Sequence, residues 1–224
     1  VVIGASTGIG NALVHVAAKE NDCKISAFAR NTELMEESFK SLSNVTSHYL
    51  DLENINPNEF TSKLNQSGPI DVLINNAGYL VNKPFEELIK NDLIKSFQVN
   101  IIGIMEVTRL SIPYLNKINS HIVNISSMGG FQGSAKFPGL TAYSSAKAAL
   151  CGFTEVFAEE YKDTTIKMNC LCLGAVQTKM LEKAFPGFNA EISPEEMGSF
   201  IFDFAFKQGR FLNGKIIPVS LSTP

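Results

Sequence analysis

Val1-Val2-Ile3-Gly4-Ala5-Ser6-Thr7-Gly8-Ile9-Gly10 is the stretch on which the fold turns. Three apolar residues read as the end of a buried strand, and an amphipathic helix over roughly 9–20 follows the glycines. Strand, glycine-rich turn and helix together present backbone N–H groups and a helix N-terminus to an anion. Gly4 permits a tight turn, Gly8 lets a pyrophosphate approach the backbone, and Gly10 allows close helix–strand packing. The spacing is Gly-x-x-x-Gly-x-Gly, not the Gly-x-Gly-x-x-Gly of the common dinucleotide fingerprint. A glycine-rich turn with no ligand would satisfy the same letters. The chain begins inside an element, so residues preceding Val1 are expected.

Outward from this turn, apolar runs alternate with helix-forming stretches. Strands are predicted at 24–29, 45–50, 70–74, 120–125, 166–173 and 215–219. Helices are predicted at 32–42, 57–65, 91–117 and 141–161. A further helix starts at Ser193-Pro194-Glu195-Glu196, a serine cap with proline first and glutamate third. The run Ile70-Asp71-Val72-Leu73-Ile74 suits a parallel strand buried on both faces. The pattern predicts an α/β, doubly wound parallel sheet with helices on both faces and right-handed crossovers. No linker, repeat or low-complexity tract divides the 224 residues. One domain, 1–224, is therefore expected, with the proline- and glycine-punctuated segment 174–192 as an integral substrate lid.

Composition narrows the function. Apolar residues make up 45%, charged residues 18%, and the net charge is −3, so no basic surface for nucleic acid is expected. No apolar run approaches membrane-spanning length, and no signal-peptide pattern is found. Cys23, Cys151, Cys170 and Cys172 form no Cys-x-x-Cys pair, and His15, His48 and His121 do not cluster with them. Reduced thiols, a cytoplasmic location and no metal are expected.

In such folds chemistry gathers at the carboxyl ends of strands. Gly4–Gly10, Arg30, Asp51, Asn76, Ser127 and Gly174 all fall there. After the second strand come Ala29 and Arg30, with no carboxylate until Glu33. A small neutral residue and an arginine suit a ribose 2′-phosphate, which favours NADP(H) over NAD(H); a solvated arginine opening a loop is the plain alternative. Asn75-Asn76-Ala77-Gly78 offers small and amide residues against a flat cofactor, or an ordinary turn. Asn100 lies inside a helical stretch, for its side chain or as a capping amide.

Tyr143-Ser144-Ser145-Ala146-Lys147 sits on the 141–161 helix, where residues four apart share a face. A tyrosine of pKa about 10 needs about three units of lowering, roughly 4 kcal/mol, to work as a base near neutrality. A unit charge at about 4 Å in an effective dielectric of about 20 supplies about that much. By chance alone, Tyr-x-x-x-Lys also arises on many helices.

Taken together, the chain resembles the short-chain dehydrogenase/reductase family over nearly its whole length. The resemblance rests on Gly4-x-x-x-Gly8-x-Gly10, Asp51, Asn75-Asn76-Ala77-Gly78, Asn100, Ser127 and Tyr143-x-x-x-Lys147, in order and on the right elements. It implies a Rossmann-like seven-stranded sheet in the order 3-2-1-4-5-6-7. It also implies a catalytic tetrad of Asn100, Ser127, Tyr143 and Lys147. NAD(P) would be bound by Gly4, Ser6, Thr7, Gly8, Ile9, Arg30, Asp51, Leu52, Asn76, Ala77, Gly78, Asn100, Tyr143, Lys147, Gly174, Val176 and Thr178. Homodimers or homotetramers would form through the helices carrying Asn100 and Tyr143. The chain departs from the family pattern at Ile3, usually Thr, and at Leu173-Gly174, usually Pro-Gly. The stretch between Ser127 and Tyr143 is a few residues longer than in many members. The adjacent Ser126 competes with Ser127 for the serine role.

The expected activity is hydride transfer between NADP(H) and a small carbonyl or secondary alcohol, with Tyr143 as general acid or base, Lys147 lowering its pKa and Asn100 anchoring a relay water. Phe131, Phe137, Leu140, Met180, Leu181, Phe185 and Phe188 suggest apolar pocket walls, or local loop packing. A catalytically silent nucleotide sensor or scaffold is the alternative. A sugar-nucleotide epimerase is disfavoured by the short tail after Ser193.

Overall fold

The computed structural model describes residues 1–20 and 22–221; residues 21 and 222–224 of the expected domain lie outside them. Seven strands form one parallel sheet in the order β3-β2-β1-β4-β5-β6-β7. They are β1 (Val2–Ile3), β2 (Ile25–Ala29), β3 (Val45–Tyr49), β4 (Val72–Asn75), β5 (Ser120–Ser127), β6 (Ile166–Leu173) and β7 (Ile216–Val219). Val2 sits opposite Ala27 on one side and Ile74 on the other, so the glycine turn leaves the sheet at its centre. The order reverses beside β1, which opens the crevice where such sheets take ligands.

Helices cover both faces. On one, α1 (Gly8–Ala17), α2 (Thr32–Phe39) and α8 (Pro194–Asp203) bury Leu13, Val14, Met35, Phe39, Met197 and Ile201 against the sheet. On the other, α3 (Pro57–Ser67), α5 (Gly103–Ser111) and α6 (Thr141–Glu160) bury Phe60, Leu64, Ile104, Val107, Leu150 and Phe157. Local chemistry starts these helices where the sequence predicts. Asn31 and Asn56 cap α2 and α3, and Ser193 with Glu196 forms a reciprocal capping box on α8.

One predicted helix is not continuous. The stretch 91–117 divides into α4 (Lys90–Phe97), a π turn (Gln98–Ile102), α5 and a 3-10 turn (Ile112–Tyr114). Pro113 supplies no N–H to the last turn, which ends the α-helix early. The π turn is centred on Asn100, whose side chain bonds back to the Ser96 carbonyl. The 174–192 segment is also more ordered than its punctuation implies. It carries α7 (Lys179–Ala184), capped by Thr178, and Val176 bridges to Ile192.

Candidate active site

The glycine turn is held by close backbone approach. Gly4 has φ +89°, and a Cβ there would lie 2.5 Å from the Ala77 backbone. Asn76 staples the turn to the end of β4: its N–H donates to the Ile3 carbonyl (3.0 Å) and its Nδ2 to the Gly4 carbonyl (2.8 Å). A Cβ on Gly10 would collide with the Gly4 carbonyl oxygen, so α1 can pack this tightly only with glycine there. Thr7 precedes α1 in extended backbone without a side-chain cap. The first-turn N–H groups of α1 therefore have no acceptor inside the helix. Ser6 is half-buried and Thr7 exposed, whereas Ile9 packs into the core beneath the turn. Thr178 stands over Gly8, its methyl 3.3 Å from where a Cβ would sit. Val176 is buried in the core, and Gly174 donates its N–H to the Val219 carbonyl (2.8 Å).

At the ends of β2 and β3 the fold adds a carboxylate that the local sequence does not show. Arg30 Nη1 donates to Glu53 Oε1 at 3.4 Å. Lys95 Nζ lies 3.0 Å from the same oxygen and 5.2 Å from the centroid of the Tyr79 ring. Asp51 Oδ1 accepts the Glu53 N–H (3.0 Å), and the Leu52 carbonyl accepts Gln98 Nε2 (3.1 Å). Glu53 and Lys95 carry no motif, and only the fold brings them to Arg30.

The four predicted catalytic residues converge. A Cβ built on Gly78 would lie 3.3 Å from Asn100 Oδ1 and 3.7 Å from Lys147 Nζ. Asn100 is fully buried, and its amide clamps the loop after β4. Its Oδ1 accepts Tyr79 N–H (3.0 Å), and its Nδ2 donates to the carbonyls of Tyr79 (2.7 Å) and Ser96 (2.8 Å). Lys147 Nζ donates to the Ile125 carbonyl (2.8 Å) and stands 5.9 Å from the Tyr143 ring centroid. Burial lowers its ammonium to about 8. Ser127 Oγ accepts the Gly129 N–H (3.2 Å) and bonds side chain to side chain with Tyr143. Ser126 faces away and donates to the Lys147 carbonyl (2.9 Å).

The lowering of Tyr143 anticipated from Lys147 is not what this arrangement produces. Burial pushes the phenol up to about 12, and the Ser127 hydrogen bond only partly opposes it. Desolvating a phenolate costs more here than its neighbours return.

Behind the site, buried amides tie the layers together. Asn75 Nδ2 donates to Asn124 Oδ1 (2.8 Å) and Thr108 Oγ1 (3.1 Å), and Asn124 Nδ2 donates to Thr154 Oγ1 (2.9 Å) on α6. Cys151, Cys170 and Cys172 also meet, their sulfurs within 4.8 Å of one another, a grouping that the absence of a Cys-x-x-Cys pair did not suggest. A signal was present: Cys170 and Cys172, two apart on a strand, share a face. The 174–192 segment is pinned by Asn82 Nδ2 donating to the Ala184 carbonyl (2.7 Å) and by an edge-on Phe137–Phe185 contact (6.3 Å).

The residues fit a nicotinamide dinucleotide. A tightly packed glycine turn, uncapped N–H groups on α1, and a lysine with an amide beside Gly78 are what its pyrophosphate and ribose require. The sheet order and its covering helices define a protein of the Rossmann-like, doubly wound class. Residues 1–188 match the short chain dehydrogenase family, and the chain belongs to it. It is 29% identical to the 3-oxoacyl-[acyl-carrier-protein] reductase FabG of Thermotoga maritima, over 97% of this chain and 94% of that protein. It is 34% identical to the 3-amino-tetrahydro-pyrrolizinone reductase of Xenorhabdus hominickii, over 81% of this chain and 63% of that protein. Among solved structures, ElxO with NADP bound superposes with a TM-score of 0.84 at 25% identity, covering 98% and 95% of the two chains.

Proposed function

We propose that the chain is an NADPH-preferring carbonyl reductase. The observation that carries this reading is the convergence of Ser127, Tyr143, Lys147 and Asn100 at the carboxyl ends of β4 and β5, next to the Gly4–Gly10 turn. Gly4, Gly8, Ala77, Asn76 and the α1 amides would hold the pyrophosphate, Asp51 and Leu52 the adenine end, and Lys147 the nicotinamide ribose. When bound, the dinucleotide supplies the hydride. Ser127 hydrogen-bonds the substrate carbonyl oxygen and orients it. Tyr143, held as a neutral phenol by burial, donates its proton to that oxygen as negative charge develops there. The protonated form is the one reduction needs, which supports the reductive direction. Lys147 then helps restore the tyrosine's proton, and Asn100 keeps the loop after β4 in place.

The 174–192 segment serves as the substrate lid, with Phe137 and Phe185 as apolar walls. A carbonyl carrying an apolar flank fits that lining, and the 3-oxoacyl reductase relatives support the same class. Exposed Leu93, Ile94, Phe97, Ile102 and Met105 along α4 and α5, and Val156 on α6, support a homodimer or homotetramer built on these helices. Among the described residues no helix is long and apolar enough to cross a membrane. With its four free thiols, the protein is assigned to the cytoplasm.

A spectrophotometric screen of NADPH and NADH oxidation over ketones, aldehydes and 3-oxoacyl thioesters tests the reading. Turnover with NADPH on at least one carbonyl class is expected. Binding of the dinucleotide with no turnover anywhere would overturn it in favour of a silent, nucleotide-sensing protein.

A further inference from the structure

We propose that Glu53 sets the balance between NADP(H) and NAD(H), by competing with the ribose 2′-phosphate for Arg30 and Lys95. The inference rests on the nucleotide-binding reading above and adds a residue to it. Three elements meet at this point: Arg30 follows β2, Glu53 follows β3, and Lys95 projects from α4. One carboxylate oxygen serves both cations, at 3.4 Å from Arg30 Nη1 and 3.0 Å from Lys95 Nζ.

The carboxylate is the fixed partner. Asp51 Oδ1 accepts the Glu53 N–H, so the turn that carries Glu53 is anchored, and its side chain is 25% exposed. Arg30 is the mobile partner, with its side chain 60% exposed and the longer of the two contacts. A guanidinium in that setting gains little from an exposed pair and can exchange it for a better one. A phosphate is such a partner, because it takes a bidentate, charge-assisted contact. Lys95 is held more firmly, with the Tyr79 ring beneath it. As built, two cations face one anion. The two cations attract a 2′-phosphate, but one carboxylate already engages them both. A like-charged carboxylate within the same cluster also repels the incoming dianion. A free 2′-hydroxyl feels neither effect.

The test measures binding rather than turnover, by isothermal calorimetry at low and high salt. The probes are 2′,5′-ADP and 5′-AMP, which report the adenosine end alone, together with NADPH and NADH. The wild type is compared with Glu53→Gln and Arg30→Ala. In Glu53→Gln, 2′,5′-ADP and NADPH are expected to bind about five- to thirty-fold more tightly, with the gain shrinking at high salt, and 5′-AMP and NADH to change less than about twofold. Arg30→Ala should weaken the 2′-phosphorylated probes selectively. An unchanged ratio in Glu53→Gln, with both dinucleotides still bound by the wild type, overturns the role of Glu53 and leaves the reductase reading standing. Weaker 5′-AMP and NADH binding in Glu53→Gln also overturns it, since Glu53 would then be a ribose-hydroxyl acceptor. A wild type that binds neither dinucleotide removes both.

Discussion

Ser126 donates its hydroxyl to the carbonyl of Lys147 at 2.9 Å, across the gap between β5 and α6. That bond seats the first turns of α6, and with them Tyr143 and Lys147, on the strand end that presents Ser127. Adjacent serines thus divide the work, one holding the helix and the other facing the cleft. Ser127→Ala should lower kcat about 10²-fold or more with the fold intact, as loss of one oxyanion donor does. Ser126→Ala should cost about 0.5–1.5 kcal/mol of stability through the loss of one buried hydrogen bond. Steady-state kinetics and urea unfolding on both variants separate the two. A larger kinetic loss in Ser126→Ala, with normal stability, would reverse the assignment.

Tyr143→Phe removes the proposed proton donor and little else. Turnover should fall about 10²- to 10⁴-fold, while NADPH binds within a few-fold of wild type. Near-normal turnover in this variant would discard the mechanism.

The two titrating groups of the site predict a pH profile. Tyr143, pushed up to about 12, stays protonated through the neutral range. Lys147, lowered to about 8, is the first of the pair to lose its proton as pH rises. Carbonyl reduction should therefore decline above about pH 8 with the slope of one proton. Lys147→Arg, charged throughout, should move that decline upward if it keeps activity. A profile flat to pH 10 would exclude Lys147 as the controlling group.

The same depression makes Lys147 a burden on the fold. Its ammonium is disfavoured by burial, so the native state holds that proton less tightly than the unfolded chain does. The favourable contribution is present above the unfolded value of 10.5 and is lost as pH falls through about 8. Lys147→Met should accordingly stabilise the protein at pH 7 by up to about 3 kcal/mol, less the lost bond to the Ile125 carbonyl. The gain should shrink toward pH 10. Urea midpoints at the two pH values check it, and an equal gain at both would attribute the effect to packing.

Gly10→Ala tests the turn. The added methyl meets the Gly4 carbonyl and approaches Asn76 Nδ2 at 2.5 Å, both parts of the backbone staple. A loss of about 2 kcal/mol or more is expected, with dinucleotide affinity down at least about tenfold. Thermal melts and calorimetry report the two losses independently.

Much of this architecture was legible in the chain because it is written in local periodicity. Strand runs, the cap at Ser193 and the glycine spacing each act over a few residues. Tyr143 and Lys147 were legible for the same reason, being one turn apart. What escaped depends on elements meeting in space. Glu53 reaches Arg30 only because β2 and β3 are neighbours. Asn82 finds the Ala184 carbonyl across a long span of sequence. The upward shift of Tyr143 is a property of its surroundings, not of its spacing from Lys147. The break at Asn100 was hidden because α4 and α5 each keep an ordinary helical pattern on either side of it.

That break has its own consequence. A π turn holds one more residue than the α turn it replaces, and the flanking helices stay in phase across it. Shortening Gln98–Ile102 by a single residue would thus let α4 and α5 fuse into one regular rod, each still showing the sheet the same stripe. Core packing would survive, and the Asn100 clamp on Tyr79 would not. The surplus residue is ballast to the scaffold; what it serves is the Asn100 hold on the loop after β4.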